Sequence, residues 1–354
     1  MGKSTDLHRY GRRGPHATDL MQDAKDRRRP QVGSPDVSSA IHPEPKNQPV
    51  RGEIRSGDAY DLMGELAPAS IDLVITSPPY WGLRTYGQEH NAEILREWLA
   101  EEPDAIHGPP YEWYRAHGGQ LGMEPIPDWF VDHLVEIFQR GAAALKPGGS
   151  MWINVGDTYF ARWSSIRYSG RQGMGDNPRE RRRTPMGGYR QEKQLLMIPA
   201  RFAIGMQSAR WILRNDLIWH KPNVAPRPEK DRLRLAHEHF FHFVKRPKEG
   251  RASYWYDISA VEDGARDVTT VNVRAGSDGH SATFPEALIT PRILSSCPPG
   301  GTVLDPFAGT GRSLTVAINH DRNGLGFEVS NDFLGAARAN VAAAVAAAES
   351  RGER

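Results

Sequence analysis

Thr302-Val303-Leu304-Asp305-Pro306-Phe307-Ala308-Gly309-Thr310-Gly311 runs from a short apolar, β-branched segment into a turn with two glycines, and Arg312–Asn319 then has helical spacing. A strand, loop and helix of this kind brings bare backbone close to a ligand, because glycine has no Cβ to hold it away. A second apolar run, residues 71–75, lies far upstream and leads into Thr76-Ser77-Pro78-Pro79-Tyr80-Trp81. Each loop therefore leaves the end of a buried strand. Loops at strand carboxyl ends are where open α/β sheets bind ligands.

Working outward from these loops, strand and helix signals alternate. Residues 52–56 and 71–75 read as strands, 127–145 as an amphipathic helix stopped by Lys146-Pro147-Gly148-Gly149, and 151–155 as the next buried strand. Residues 195–213 read as a helix, while 215–219 and 239–244 read as an antiparallel pair near the sheet edge. After the strand at 302–304 come a helix, a strand at 324–329 and an alanine-rich helix at 332–348. Strands recurring between helices make the class α/β. Two stretches break the rhythm: 82–125 is polar, aromatic and proline-containing, and 162–193 concentrates arginine among glycine and tyrosine. There is no internal repeat.

Composition bounds the possibilities. With 354 residues and 38% hydrophobic content the chain can bury a substantial core and is long enough for one large domain or two modest ones. A net charge of +2 is too small to argue nucleic-acid binding, so basic surface has to come from local clustering. A single cysteine, Cys297, excludes an internal disulfide framework and a cysteine-rich metal site, which fits a reducing cytosol. No apolar run approaches the roughly 18 residues of a membrane span, and the arginine-bearing amino terminus lacks an apolar signal core. These features predict a cytoplasmic protein. Residues 1–48, rich in Arg, Asp, Pro and Ser with neither hydrophobic period, predict a disordered tail, either a solvated extension or a tethering arm.

The downstream loop fails two familiar templates. A Walker loop needs glycine and lysine where Pro306 and Arg312 stand, and the dinucleotide fingerprint needs a third glycine where Leu314 stands. What remains is a short Gly-x-Gly turn whose surroundings suit a nucleoside. Glu328, closing the following strand, can accept both hydroxyls of a ribose. Asp58, in Gly57-Asp58-Ala59, reads either as an acceptor for an adenine amino group or as a turn aspartate.

The upstream loop suits an exocyclic amine. The lone pair of cytosine N4 or adenine N6 is delocalised into the ring, so a catalyst must hold the amine with acceptors that favour a pyramidal nitrogen and align it with its electrophile. The Ser77 hydroxyl and the Pro78 carbonyl can accept the two amine hydrogens, Pro78 and Pro79 stiffen the loop, and the Tyr80 ring can stack on a base. A base within a duplex cannot reach such a loop unless it is flipped out. No nucleophile or metal is needed, and Cys297, in Ser296-Cys297-Pro298-Pro299, reads as a packing residue.

These motifs resemble the amino-methyltransferases of bacterial restriction-modification systems, in the permuted β group where the catalytic loop precedes the cofactor loop. Besides the two loops the resemblance rests on Leu145-Lys146-Pro147-Gly148-Gly149, Ile218-Trp219-His220-Lys221-Pro222-Asn223, His237-Glu238 and Phe284-Pro285-Glu286, and it covers most of the chain after about Arg51. It implies a Rossmann-like class I fold, a seven-stranded, mostly parallel sheet with one antiparallel strand, forming a catalytic domain over 49–354. It also implies S-adenosylmethionine as cofactor, held by Asp305, Phe307, Gly309, Gly311, Glu328 and Asp58 with Phe284 and Pro285 near its methionine end, and a base held at Ser77, Pro78, Pro79 and Tyr80. In that family a serine at the head of the catalytic loop is usual for cytosine N4, and aspartate for adenine N6. Some cytosine enzymes assist the serine with an aspartate in the following strand; the corresponding position here is Asn154, with Asp157 three residues on, which leaves the proton acceptor open.

The reading is thus a site-specific methyltransferase acting on double-stranded DNA, cytosine N4 first and adenine N6 second, as a monomer or homodimer and with a cognate endonuclease as a further partner. A protein glutamine methyltransferase, whose related loop is headed by Asn, and an inactive DNA-binding relic are the other classes weighed. For DNA contact two segments compete: the basic insert at about 158–194, with Arg179, Arg181, Arg182 and Arg183, and the stretch at about 245–282 that family analogy favours. His220, Lys221 and Asn223 either face the flipped base or finish a strand, with Lys221 counted among the DNA-binding residues, and Trp81 and Arg84 line the base pocket or, for Trp81, the core.

Overall fold

The computed structural model describes residues 50–82, 90–161, 163–165, 181–224, 230–261, 266–273 and 285–352, all within the larger of two units, Pro43–Arg354. In chain order the elements are β1 (Gly52–Ser56), α1 (Ala59–Gly64), β2 (Ile71–Thr76), α2 (Ile94–Glu101), α3 (Tyr111–Ala116), α4 (Pro127–Arg140) and β3 (Leu145–Val155). Then follow β4 (Trp163–Ser165), β5 (Arg181–Arg183), α5 (Ile198–Ser208), β6 (Trp211–His220), β7 (His237–Lys245) and β8 (Val268–Thr270). The chain closes with α6 (Glu286–Ser296), β9 (Thr302–Asp305), α7 (Arg312–Asn319), β10 (Asn323–Glu328) and α8 (Asn331–Gly352).

Among the described residues eight of these strands form one sheet in the order β1-β10-β9-β2-β3-β7-β6-β8, and β4 pairs with β5 alone. Only β7 runs against its neighbours in the large sheet; every other pair is parallel. The permuted order is visible here, since β9 and β10, from the end of the chain, insert between β1 and β2. The chain leaves β9 toward β10 on one side and β2 toward β3 on the other. That reversal opens a crevice at the carboxyl ends of β9 and β2.

β2 is buried at all six positions, as a strand covered on both faces must be. The pleat sends alternate residues to opposite faces. Met151, Ile153 and Val155 of β3 join Phe241 and Phe243 of β7 under α4 and α5, while Trp152 and Phe240 join Leu288 and Ile293 of α6 on the other face. α4 begins with Pro127 in its first turn and buries Phe130, Leu134, Ile137 and Phe138, one helical stripe, before stopping at Gly141. The alanines of α8 leave room for it to lie close to β1 and α7, where Ala337, Val341 and Ala344 pack on Ile54, Leu314 and Ile318. No described helix is long and apolar enough to cross a membrane.

The structure departs from the sequence expectations at three places. The sheet has eight strands, not seven, because Val268–Thr270 adds a short parallel edge to β6. The helix expected to run to 145 ends at Arg140, and Lys146-Pro147-Gly148-Gly149 forms an irregularity early in β3, where Ile71 faces Leu145 but Leu73 faces Ser150. Pro147 has no N–H to give to the ladder, and a Cβ on Gly149 would lie 2.8 Å from the Asp72 carbonyl oxygen. Lys146 instead reaches Asp72 at 2.7 Å, and the same carboxylate accepts the Thr302 N–H at 2.8 Å, joining three strands. The helix expected over 195–213 is shorter, from Ile198 to Ser208, because Met197 and Arg210 take left-handed backbone (φ 57° and 72°) and Trp211 starts β6. The expected tail at 1–48 lies outside the described residues.

Candidate active site

The two loops meet. β2 and β9 are adjacent and parallel, with Val74 opposite Leu304. At their ends the Thr76 hydroxyl donates to Asp305 Oδ1 at 2.6 Å, across 229 positions of sequence. Asp305 also accepts the Phe307 N–H at 3.0 Å and the Ser313 hydroxyl from the start of α7. Its carboxyl is fully buried, and burial pushes it above the ordinary carboxylate range against the pull of those three donors. One aspartate thus fixes the exit angles of both loops and the first turn of a helix.

Glu328 and Asp58 stand on the adjacent strand ends. The carbonyl of Glu328 accepts the Gly57 N–H at 3.1 Å, so the loop after β1 is fastened to the end of β10. Its carboxylate accepts the Gly309 and Ser330 N–H groups, each at 2.7 Å, and burial pushes it up to about 7 despite them. Asp58 caps α1 by accepting the Tyr60 N–H at 2.8 Å, accepts the Tyr111 hydroxyl at 3.0 Å, and is raised by burial. Gly309 and Gly311 adopt left-handed backbone, φ 54° and 77°. A Cβ on Gly309 would meet nothing within 4 Å, so this turn faces open space. Largely buried carboxylates, bare backbone and the partly buried Phe307 ring form a donor and acceptor set that fits an adenosine moiety.

On the other loop Tyr80 is at the centre. Its hydroxyl lies 2.7 Å from Glu238 Oε2 on β7 and 2.9 Å from Asn154 Oδ1 on β3, and Ser77 Oγ lies 3.4 Å from both Asn154 Oδ1 and the Tyr80 hydroxyl. The Asn154 amide is oriented by its other end, where Nδ2 donates to the His239 carbonyl at 3.1 Å, so its oxygen faces the loop. Glu238 is paired in turn with Lys221, just past the end of β6. Gly156 makes room for the tyrosine, since a Cβ there would lie 2.6 Å from Tyr80 Cε2.

The family model described as DNA methylase, of the N6/N4 type, matches residues 71–339. The chain belongs to this family. It is therefore a DNA amino-methyltransferase of the N4/N6 type, with S-adenosylmethionine as methyl donor. Type II methyltransferase M.Cfr9I of Citrobacter freundii is 33% identical over 286 residues, 78% of this chain and 83% of the relative. M.XycI of Xanthomonas campestris pv. cyanopsidis is 33% identical over 307 residues, covering 84% and 90%. Among solved structures, the PvuII DNA methyltransferase (cytosine-N4-specific) shares the fold with a TM-score of 0.56 at 18% identity, over 85% of this chain and 93% of that one. A DNA modification methylase of Thermus thermophilus, complexed with S-adenosyl-L-methionine, gives a TM-score of 0.51 at 21% identity, over 84% and 96%.

Several elements of this methylase serve to hold the loop that carries Ser77 and Tyr80. Gly82 donates to the Gly122 carbonyl at 2.7 Å, and Trp81, buried in the core, donates through Nε1 to the Glu124 carbonyl at 3.0 Å. The Glu124 carboxylate, fully buried, accepts the Gly122 N–H at 2.8 Å and meets His133 Nδ1 of α4 at 3.0 Å, while His133 Nε2 faces the Pro109 carbonyl at 3.0 Å. The aromatic stretch after this loop thereby becomes its foundation. From sequence Glu238 entered only through the His237-Glu238 motif, with no role in the site, and Gly156 and this Glu124–His133 pair were not singled out. That motif, a glutamate at the start of the aromatic strand His237–Lys245, was the visible signal for it.

The remaining predicted residues are dispersed. Lys221, expected at DNA through the flipped base or as the end of a strand, is mostly buried against Glu238, the partner of Tyr80, and the Trp219 ring. Arg181, Arg182 and Arg183 form β5, while Arg179, Arg84 and Phe284 lie outside the described residues. Pro285 precedes α6 and lines a cavity of about 310 Å³ with Thr270, Val271 and Asn272. A larger cleft of about 690 Å³ is bordered by Tyr60, Glu136 and Arg140, and no residue of either loop lines it. Cys297 is buried, and burial pushes its thiol up, out of the reactive range.

Proposed function

We propose that this methylase acts on cytosine N4 of a base flipped out of duplex DNA, by direct methyl transfer with no covalent enzyme intermediate. The observation that carries the choice of base is the head of the catalytic loop: a neutral Ser77 whose nearest strand partner is the neutral amide of Asn154. The amine of cytosine then meets a hydroxyl and the Pro78 carbonyl as its two acceptors, and the Tyr80 ring offers the stacking face. Burial of Pro78 and the bond from Gly82 to Gly122 keep these acceptors fixed, so little ordering is left for the moment of reaction.

S-adenosylmethionine, when bound, supplies a methyl carbon made electrophilic by its sulfonium. Glu328 would hold the ribose hydroxyls, Asp58 the adenine amino group, the Gly309 to Gly311 backbone the approach of the nucleoside and Phe307 its apolar face, with Phe284 and Pro285 at the methionine end. The adjacency of Thr76 and Asp305 supports a transfer distance short enough for in-line attack. Contact with DNA is assigned to the arginine-rich segment 179–183 together with 245–282, with phosphate neutralisation as the main source of affinity. Digestion of methylated duplex DNA to nucleosides followed by mass analysis tests the base. N4-methylcytosine is the expected product, and N6-methyladenine alone would overturn the choice. Ser77→Ala and Tyr80→Ala are expected to abolish transfer while leaving cofactor affinity intact.

A further inference from the structure

Methyl transfer to an amine leaves a positive nitrogen that must lose a proton, and Asn154, a neutral amide, cannot take one. We propose that Glu238 on β7 is the terminal proton acceptor, reached through Ser77 and Tyr80. This rests on the amine-transfer reading of the site and supplies the base that reading lacks.

The geometry is continuous. Ser77 Oγ is 3.4 Å from the Tyr80 hydroxyl, and that hydroxyl is 2.7 Å from Glu238 Oε2. Besides Ser77 Oγ, the Tyr80 hydroxyl meets Glu238 Oε2 and, at 2.9 Å, Asn154 Oδ1, and a carboxylate is a stronger acceptor than an amide. The hydrogen therefore points toward Glu238, and the tyrosine oxygen is left to receive one from Ser77. Asn154, fixed by the His239 carbonyl, acts as an alignment post for both hydroxyls. Lys221 balances the charge of Glu238 in a place where only 13% of either side chain is exposed. The other titratable groups near this end of the sheet are His237 and His239, flanking Glu238 on β7, with Asp216 bonded to His239 at 2.9 Å and Asp157 capping the start of α5.

The step balances as follows. The amine lone pair forms the N–C bond while the S–C bond breaks and its electrons return to sulfur, giving S-adenosylhomocysteine. One N–H proton passes to Ser77 Oγ, the Ser77 proton to the Tyr80 oxygen, and the Tyr80 proton to Glu238, which ends as a neutral acid and returns its proton to solvent. The methylated, positively charged amine is a strong acid, so the carboxylate held beside Lys221 suffices to take its proton. Glu238 acts through Tyr80 and does not itself touch the base.

The test compares wild type, Glu238→Gln, Tyr80→Phe and the double variant on duplex DNA in single-turnover methylation across pH, with S-adenosylmethionine binding and thermal melting as checks on folding. Each single variant is expected to slow transfer by roughly 10²-fold with cofactor affinity unchanged. The rate of Glu238→Gln should climb steadily with pH as solvent takes over the proton, and the double variant should be no slower than the slower single one. A full rate in Glu238→Gln, a reduced rate with the wild-type pH profile, or losses that multiply in the double variant would each overturn the relay. If wild type itself transferred no methyl group to DNA, the amine-transfer reading would fall and the relay with it, a result distinct from the other three.

Discussion

Lowering the pH through neutrality is expected to release S-adenosylmethionine from this enzyme, because the carboxyl group at the end of β10 is unusually basic. Burial raises Glu328 from 4.5 to about 7, and the Ser330 and Gly309 N–H donors recover only part of that cost. The displacement corresponds to about 3 kcal/mol of penalty on the charged form. Ribose hydroxyls would be two further donors to the carboxylate, so cofactor binding and ionisation favour each other. If only the ionised form binds, the apparent Kd grows as 1 + 10^(7 − pH), which is about elevenfold weaker at pH 6 and about thirtyfold weaker at pH 5.5 than on the alkaline plateau. Stability without cofactor moves the other way. A carboxyl whose folded value is raised stabilises the fold most below its unfolded value of 4.5, and that contribution is lost as pH rises through about 7. Titration calorimetry at constant ionic strength between pH 5.5 and 8 would measure both wild type and Glu328→Gln. The variant should bind weakly with no slope from this group. A wild-type affinity that does not change over this range, or an equal slope in the variant, would refute the assignment of the carboxylate to the ribose.

Three further outcomes follow from the packing around the loops. Gly156→Ala places a Cβ 2.6 Å from the Tyr80 ring and should lower kcat by roughly 10²-fold while cofactor affinity stays within about twofold, as steady-state rates and binding titrations would report. Thr76→Val removes a donor from the fully buried Asp305 and should cost about 1–3 kcal/mol in urea unfolding; an unchanged midpoint would mean that the bond between the two loops adds nothing to stability. His133→Leu removes one polar partner of the buried Glu124 carboxylate and is expected to cost about 1–3 kcal/mol, visible as a fall in Tm together with a loss of activity.

Much of this molecule is legible residue by residue. The bounds of α7 match its helical spacing because Gly311 starts it and His320 stops it within a single local stretch. The antiparallel pairing of β6 and β7 is likewise foreshadowed by a run ending in Leu217-Ile218-Trp219 and the aromatic run from His239, on either side of a turn-rich segment. Misreadings occur where a long-range contact overrides a local signal. Lys146-Pro147-Gly148-Gly149 has the composition of a helix stop, but Asp72 on a neighbouring strand draws Lys146 into the sheet. Trp211-Ile212-Leu213 continues the helical pattern of α5, yet pairing with Phe243, Val244 and Lys245 makes it a strand.

By itself the sequence determined the alternation of elements, the identity of the two loops and the chemistry each side chain can offer, because these depend on neighbours a few positions apart. Only the tertiary structure decided that β9 lies beside β2, that Thr76 meets Asp305, and that Glu238 from β7 reaches Tyr80. Those meetings depend on strand order and register, which are fixed when distant apolar faces bury one another in a shared sheet, and no local pattern carries that information.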